Sequence, residues 1–263
     1  MSWPFSMVAL IPARAGSKRI PGKNTKLFAG HPLLAYTIAA AQQSGVFSRV
    51  YVATDDARVD HNFMKLFSDS TTFSHHRAPV MDRQADVEWV REVLWAHEHY
   101  DTFAILRPTS PFRTAETVRR AFKQFTLPDQ TADSIRAVEP CKQHPGKMWE
   151  WAGPGSPITP LLHGKRSDEV PWHSCPTQTL PTFYIQNSSL EIGWTSNVEV
   201  HGTIHGRKVA PFFTEGYEGF SLDYPEDWER AEALIASGRA VLPTVTPKTD
   251  EGLRPETVTP TVS

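Results

Sequence analysis

Residues 8–24 read VALIPARAGSKRIPGKN. Val8, Ala9, Leu10 and Ile11 form a short apolar run of the kind that makes a buried strand. A basic loop follows, with Arg14, Lys18, Arg19 and Lys23 set around Gly16, Ser17 and Gly22 and closed by Asn24. Glycine lets a backbone approach a ligand and turn its N–H groups inward. Cations around such a loop suit a polyphosphate. The stretch therefore predicts a strand that feeds a nucleotide-phosphate cradle. It carries neither G-x-x-x-x-G-K-[ST] nor G-x-G-x-x-G. A short Gly/Lys loop can equally be a solvated turn. The co-occurrence of strand, Pro12, Arg14, the Gly-Ser-Lys turn and Lys23-Asn24 favours the cradle.

Outward from this stretch, strand and helix patterns alternate. Residues 7–12, 50–54, 103–106 and 134–138 read as strands, and another starts at Phe183-Tyr184-Ile185. Residues 31–44 carry apolar positions at helical spacing and stop at Gly45. A weaker helix covers 57–67. Residues 86–100 form a strong amphipathic helix with Val87, Val90, Val93, Leu94 and His97 on one side. A helix over 114–125 opens with Thr114 as N-cap and Glu116 in its first turn. The last helix spans 225–237, with Pro225 near its start and Gly238 as its stop. Such alternation predicts an α/β fold: a Rossmann-like, mostly parallel sheet with helices on both faces. Ligands of such sheets sit at the carboxyl ends of the strands. The basic loop, Thr54-Asp55-Asp56 and Arg107-Pro108-Thr109-Ser110 all fall there.

Residues 1–242 are expected to form the main domain. Residues 139–181 are rich in Pro and Gly and include Trp149, Trp151 and Trp172. They read as an excursion from the sheet: a flap, an oligomer contact or a local core under a loop. Residues 243–263 are Thr/Pro-rich with almost no large apolar side chains, which predicts a disordered tail. The formal net charge of -2 on 263 residues gives no global field for nucleic acid or membrane. Two cysteines, Cys141 and Cys175, make no disulfide framework and no metal spacing, which suits a reducing cytoplasm. The first residues lack the pattern of a signal peptide, and no apolar run approaches membrane-spanning length.

The loop resembles the signature I-P-A-R-x-G-S-K-x-x-x-x-K-N of the cytidylyltransferases that activate acidic 3-deoxy-ulosonic sugars, the CMP-sialic acid synthetase family. Leu106-Arg107-Pro108-Thr109-Ser110-Pro111-Phe112-Arg113 is similar to that family's L-x-P-T-S-P-x-R. Asp223-Tyr224-Pro225-Glu226-Asp227 is similar to its closing D-x-x-x-D segment. The resemblance covers about residues 7–242. It implies the fold of nucleotide-diphospho-sugar transferases, and a homodimer in which the excursion reaches over a neighbouring subunit. It also implies transfer of CMP from CTP to the anomeric hydroxyl of a sialic, legionaminic or pseudaminic type of sugar. A nucleotidyltransferase acting on a sugar 1-phosphate, or a non-catalytic binding paralogue, are the alternatives.

Within that reading, Arg14, Lys23 and Asp223 are the expected catalytic residues. Ala13, Gly16, Ser17, Lys18, Asn24, Arg77, Pro108, Thr109 and Ser110 join Arg14 and Lys23 at the nucleotide, with Asn24 either ordering the loop or touching the sugar. Arg107, Lys147, Asn187 and Glu191 are the expected sugar contacts, Lys147 by way of the family's H-P-x-K. Asp223 is the expected ligand of Mg2+, which takes oxygen donors and keeps several waters. Three positions depart from the family's pattern. Ser221 stands where a second aspartate is common, so Asp227 either contributes or caps the last helix. Arg107 stands where glutamine is common, and Glu191 where an aromatic is common. A guanidinium at 107 could hold the acceptor's carboxylate with two parallel hydrogen bonds.

Overall fold

The computed structural model describes residues 5–59, 61–77, 85–127, 129–166 and 168–248. The opening apolar run is strand β1 (Met7–Ala13). Met7, Ala9, Ile11 and Ala13 enter one hydrophobic core and Val8 and Leu10 another. A strand buried on both faces belongs inside a parallel sheet. The chain continues through a small hairpin of β2 (Leu27–Phe28) and β3 (His31–Pro32), then α1 (Leu33–Ser44), β4 (Arg49–Thr54) and α2 (His61–Phe67). Next come β5 (Thr72–His76), α3 (Asp86–Ala96), β6 (Thr102–Ile105), α4 (Ala115–Phe125) and β7 (Ser134–Pro140). A second hairpin, β8 (Trp149–Trp151) and β9 (Ile158–Pro160), precedes β10 (Tyr184–Trp194), α5 (Thr195–Glu199), β11 (Val209–Phe213) and α6 (Pro225–Ala236).

The main sheet has seven strands in the order β11-β7-β10-β6-β1-β4-β5. All neighbours are parallel except β10, which runs antiparallel to both β6 and β7. Leu34 and Ile38 of α1, Phe63 of α2 and Phe122 of α4 pack on one face. Trp89, Val90 and Val93 of α3 and Val198 of α5 pack on the other. The expected mostly parallel sheet with helices on both faces is thus what forms. A third cluster joins Trp228 and Leu234 of α6 to Ile20, Phe28 and Leu222. The Phe28 and Trp228 rings meet edge-on at 5.0 Å. This contact ties the segment before α6 to the basic loop.

The helix signals hold where a cap fixes them. The Thr114 hydroxyl accepts from the Thr117 N–H at 3.3 Å, and Gly45 ends α1 with φ 68°. Other boundaries move for tertiary reasons. The helix expected over 86–100 stops at Ala96, because the His97 ring stacks on Tyr51 at 3.9 Å and bonds His75 at 3.0 Å. The helix expected from residue 57 starts at His61. Asp56 accepts the Arg58 N–H at 3.0 Å and pairs with its guanidinium, which holds a turn before it. β5 and β11 lie outside the expected strands, since neither alternates cleanly between apolar and polar residues. β11 sits at the sheet edge, where Pro211 costs no ladder bond.

In the 139–181 excursion, Trp172 packs against His144 and Phe183 in a small local core. Trp149, Trp151 and Ile158 stay 44%, 62% and 56% exposed. The Thr/Pro-rich tail needs a correction at its start. Residues 243–248 lie along the fold: Pro243 is buried, Thr244 O accepts from Gln43 at 2.6 Å and the Lys248 N–H donates to Leu66 O at 2.9 Å. The remainder of the expected tail falls outside the described residues. Among the described residues, no helix is long and apolar enough to cross a membrane.

Candidate active site

The carboxyl ends of four parallel strands deliver Arg14 after β1, Asp55 after β4, Arg77 after β5 and Arg107 after β6. Because β10 is antiparallel, its first half brings Gln186 and Ser188 to the same edge. Between them lies a cavity of about 490 Å³. Arg14, Ser17, Lys23 and Asn24 of the basic loop line it, with Pro12 beneath. Pro108 and Thr109, and then Asp223, complete that side. Arg77, Asp86 and Trp89 also line it.

The loop owes its shape to bonds made at both ends. The Ala15 N–H donates to Asp55 Oδ1 at 2.7 Å, and the Thr54 hydroxyl donates to Ala13 O at 2.7 Å. Asn24 donates to Arg14 O at 3.1 Å, so it orders the loop. Gly22 has φ 65°, and a Cβ there would meet the Arg58 guanidinium at 2.5 Å. Lys23 Nζ donates to Leu222 O at 2.8 Å and lies 3.9 Å from Asp223 Oδ1. Burial pushes the Lys23 ammonium below the ordinary lysine range; Asp223 opposes this and Arg14 and Arg19 add to it. Gly16 and Lys18 are on the exposed side of the loop, while Ala13 and Ser110 are buried under it.

Two acids of the closing segment take different roles. The Ser221 hydroxyl donates to Asp223 Oδ2 at 2.7 Å. Asp227 accepts the N–H groups of Asp223 at 2.9 Å and Tyr224 at 2.8 Å, so it caps α6 rather than facing the cavity. No group of three His, Cys, Asp or Glu side chains able to hold a metal exists among the described residues. One carboxylate beside a cationic cradle fits a hard ion held jointly by protein and substrate phosphates, not a cage made by protein alone.

Arg77 is 3% exposed, and its Nε and Nη1 have no hydrogen-bond partner among the described residues. Burial lowers its pKa, against the pull of Asp55 and Glu92. A buried guanidinium with spare donors on a cavity wall suits an anion. Arg107 is engaged differently. It donates to Asp86 Oδ2 at 2.6 Å and to Glu191 Oε1 at 3.1 Å. Burial would raise the Asp86 pKa, but the Arg107 hydrogen bond and charge hold it below the ordinary aspartate value.

Three expected sugar contacts stand elsewhere. Glu191 is 7% exposed, and its two oxygens accept from Arg107 and from Arg136 at 2.9 Å. It is a counter-ion to two arginines and does not itself line the cavity. Asn187 donates to Thr214 Oγ1 at 2.9 Å and accepts the Ser189 N–H at 3.1 Å, which shapes the backbone of β10. Lys147 is exposed on the excursion and does not line the cavity. Sequence reading missed Asp86, Trp89, Gln186 and Ser188. The first two sat in a stretch whose pattern reads only as helix, and the last two needed the direction of β10.

Residues 8–141 match the family described as cytidylyltransferase. The chain belongs to the cytidylyltransferase family. It is 29% identical over 241 residues to a CMP-N,N'-diacetyllegionaminic acid synthase of Legionella pneumophila, covering 90% of this chain and 99% of that one. It is 34% identical over 233 residues to N-acylneuraminate cytidylyltransferase A of Danio rerio, covering 86% of this chain and 50% of that one. An N-acylneuraminate cytidylyltransferase of Escherichia coli is 36% identical over 132 residues, or 50% of this chain and 30% of that one. In fold, this cytidylyltransferase is similar to the CTP complex of CMP:2-keto-3-deoxy-manno-octonic acid synthetase. The TM-score there is 0.62 at 16% identity, over 89% of this chain and 99% of the other. Membership makes the chain an enzyme of the nucleotidyltransferase class.

Proposed function

We propose that this cytidylyltransferase transfers CMP from CTP to the anomeric hydroxyl of an acidic 3-deoxy-ulosonic sugar and releases pyrophosphate. The acceptor is a nine-carbon acid of the sialic, legionaminic or pseudaminic type, the class named for two of its relatives. The observation that carries the reading is the convergence of Arg14, Lys23, Asp223 and Arg107 on one cavity. In the reaction the anomeric oxygen attacks the α-phosphorus, the bond to the bridging oxygen of the β-phosphate breaks, and the hydroxyl proton passes to solvent. Arg14 and Lys23 neutralise charge on the phosphates, Lys23 from a largely shielded position. Arg77 offers its spare donors to the same anion. Asp223, with Ser221 beside it, would hold Mg2+, which when bound supplies further charge neutralisation at the phosphates. Arg107 and Gln186 mark the acceptor side. Ser221 alone would suit an inactive paralogue, but the cationic loop and Asp223 meet at the cavity as an active enzyme needs.

The exposed Trp149, Trp151 and Ile158 support a homodimer formed through the excursion, which light scattering of the intact protein would test. The free thiols of Cys141 and Cys175 suit the cytoplasm, where nucleoside triphosphates are made. For the activity, the protein is incubated with each nucleoside triphosphate, Mg2+ and a panel of N-acetylneuraminate, N,N'-diacetyllegionaminate, pseudaminate and the eight-carbon Kdo. Pyrophosphate release should require CTP and a nine-carbon acid. Release with a sugar 1-phosphate, run in parallel as an alternative acceptor, and not with the acids, or no release at all, would sink the reading.

A further inference from the structure

Arg113 is 1% exposed and sits between the loop after β6 and the Thr114 cap of α4. No carboxylate of the described residues pairs with it. Its Nη1 donates to the carbonyl of Arg107 at 3.2 Å and to that of Ser189, and its Nη2 donates to Thr37 Oγ1 of α1 at 3.0 Å. Burial, unopposed, pushes its pKa down to about 9. A buried guanidinium without a counter-ion is costly, and an apolar side chain would fill the same space without that cost. What the cation accomplishes is therefore specific to its acceptors.

Those acceptors belong to the two segments that wall the cavity. The pairing of β10 with β7 slips between Gln186 and Glu191, a bulge that takes residues 187–190 out of the ladder. A carbonyl buried inside such a bulge needs another donor. Arg113 supplies it at Ser189, next to cavity-lining Ser188. With the same nitrogen it holds Arg107 O, which also accepts the Ser110 N–H at 3.2 Å and so closes the turn that presents Pro108 and Thr109. The chain of bonds continues beyond the turn. Thr109 O accepts the Leu222 N–H at 2.8 Å, and Leu222 O accepts Lys23 Nζ at 2.8 Å. One planar fork thus fixes the spacing between the acceptor-side bulge and the turn from which Lys23 and Asp223 take their positions. A lysine, a point charge on a flexible stem, cannot reach all three acceptors at once.

We propose that Arg113 is a positioning residue for this reaction, holding the β10 bulge and the 107–110 turn at the separation the acceptor sugar requires. This rests on the function proposed above. The effect on the acceptor exceeds that on CTP, because Arg113 holds the bulge directly at Ser189 O, whereas it reaches Lys23 only through the turn, Thr109 and Leu222, and the basic loop has further ties to Asp55 and Thr54.

The test uses Arg113→Lys, with Thr37→Val as a milder variant that removes only the Nη2 acceptor and keeps the side-chain shape. Pyrophosphate release is measured with the panel acid that the wild type turns over fastest, and each substrate is varied in turn. Hydrogen exchange over residues 107–110 and 186–190 is followed in parallel. For Arg113→Lys the KM for the acid should rise about tenfold or more. The KM for CTP should change far less, and exchange should quicken in those two segments while the melting temperature stays well above that of the assay. Thr37→Val should shift the acceptor KM in the same direction by a smaller factor. If Arg113→Lys merely lowers Vmax in proportion to the folded fraction, with acceptor KM and local exchange as in the wild type, Arg113 is only structural and the proposal falls. A wild type that turns over none of the acids overturns the proposed acceptor instead, and the exchange measurement still decides whether Arg113 holds the two segments.

Discussion

The Ser221 hydroxyl donates to Asp223 Oδ2 at 2.7 Å, so the serine that stands in place of a second carboxylate is bound to the first. The other Asp223 oxygen is 3.9 Å from Lys23 Nζ. Asp223→Asn should abolish metal-dependent turnover, since a neutral amide is a poor ligand for a hard cation. Ser221→Asp should leave the half-saturating Mg2+ concentration equal or lower, by adding a second carboxylate at the same place. An Asp223→Asn enzyme that titrates with Mg2+ like its parent would remove Asp223 from the metal site.

Arg14 leaves the carboxyl end of β1 and faces the cavity, with its carbonyl held by Asn24. Arg14→Ala should cut kcat by about two orders of magnitude, the scale of losing one transition-state donor. Its circular dichroism should match the parent's. Near-normal turnover in that folded variant would rule out a role at the reacting phosphate.

Arg107 is bound to Asp86 and Glu191, so a substrate carboxylate meets it only through its remaining donors. Arg107→Gln should raise the KM for the acidic sugar several-fold more than that for CTP. It should also leave Asp86 and Glu191 short of their cation, Glu191 keeping Arg136. A rise confined to the KM for CTP would move Arg107 to the nucleotide side.

Lys23 carries its charge against burial, and its pKa is lowered. A base with a depressed pKa loses its proton earlier as pH rises. The alkaline limb of kcat/KM for CTP should therefore fall below the ordinary lysine pKa. Lys23→Arg keeps a cation that does not titrate in this range, so its profile should stay flat where the parent declines, whatever its absolute rate. A limb at the same pH in both proteins would assign the titration to another group.

Residues 243–248 bond to Gln43 and Leu66, and Val245 packs against the α6 cluster. Truncation after Leu242 should lower the melting temperature by several degrees. Each lost hydrogen bond is worth about 1 kcal/mol, and in a chain of this size 1 kcal/mol is about 2–4 °C. Truncation after Lys248 removes a Thr/Pro-bearing segment with almost no core-forming side chains and should leave it unchanged. Equal melting temperatures for the two truncations would show that the 243–248 contacts contribute nothing.

By itself the sequence determined what depends on neighbours along the chain. The run Val8–Ile11 is apolar at consecutive positions, so it had to be buried on both faces, and the cations after it had to fall at a strand end. Thr114, Gly45 and Gly238 set helix ends through local backbone chemistry, and Asp227 could cap α6 because the N–H groups it accepts lie within four residues of it. Tertiary structure alone decided the direction of β10, because pairing with β6 and β7 is a relation between segments far apart in sequence. That direction brought Gln186 and Ser188 to the cavity and turned Glu191 away from it, into a buried site between Arg107 and Arg136. No spacing along the chain encodes such a partner: a buried carboxylate needs a cation or donor beside it, and only folding decides which one comes within reach.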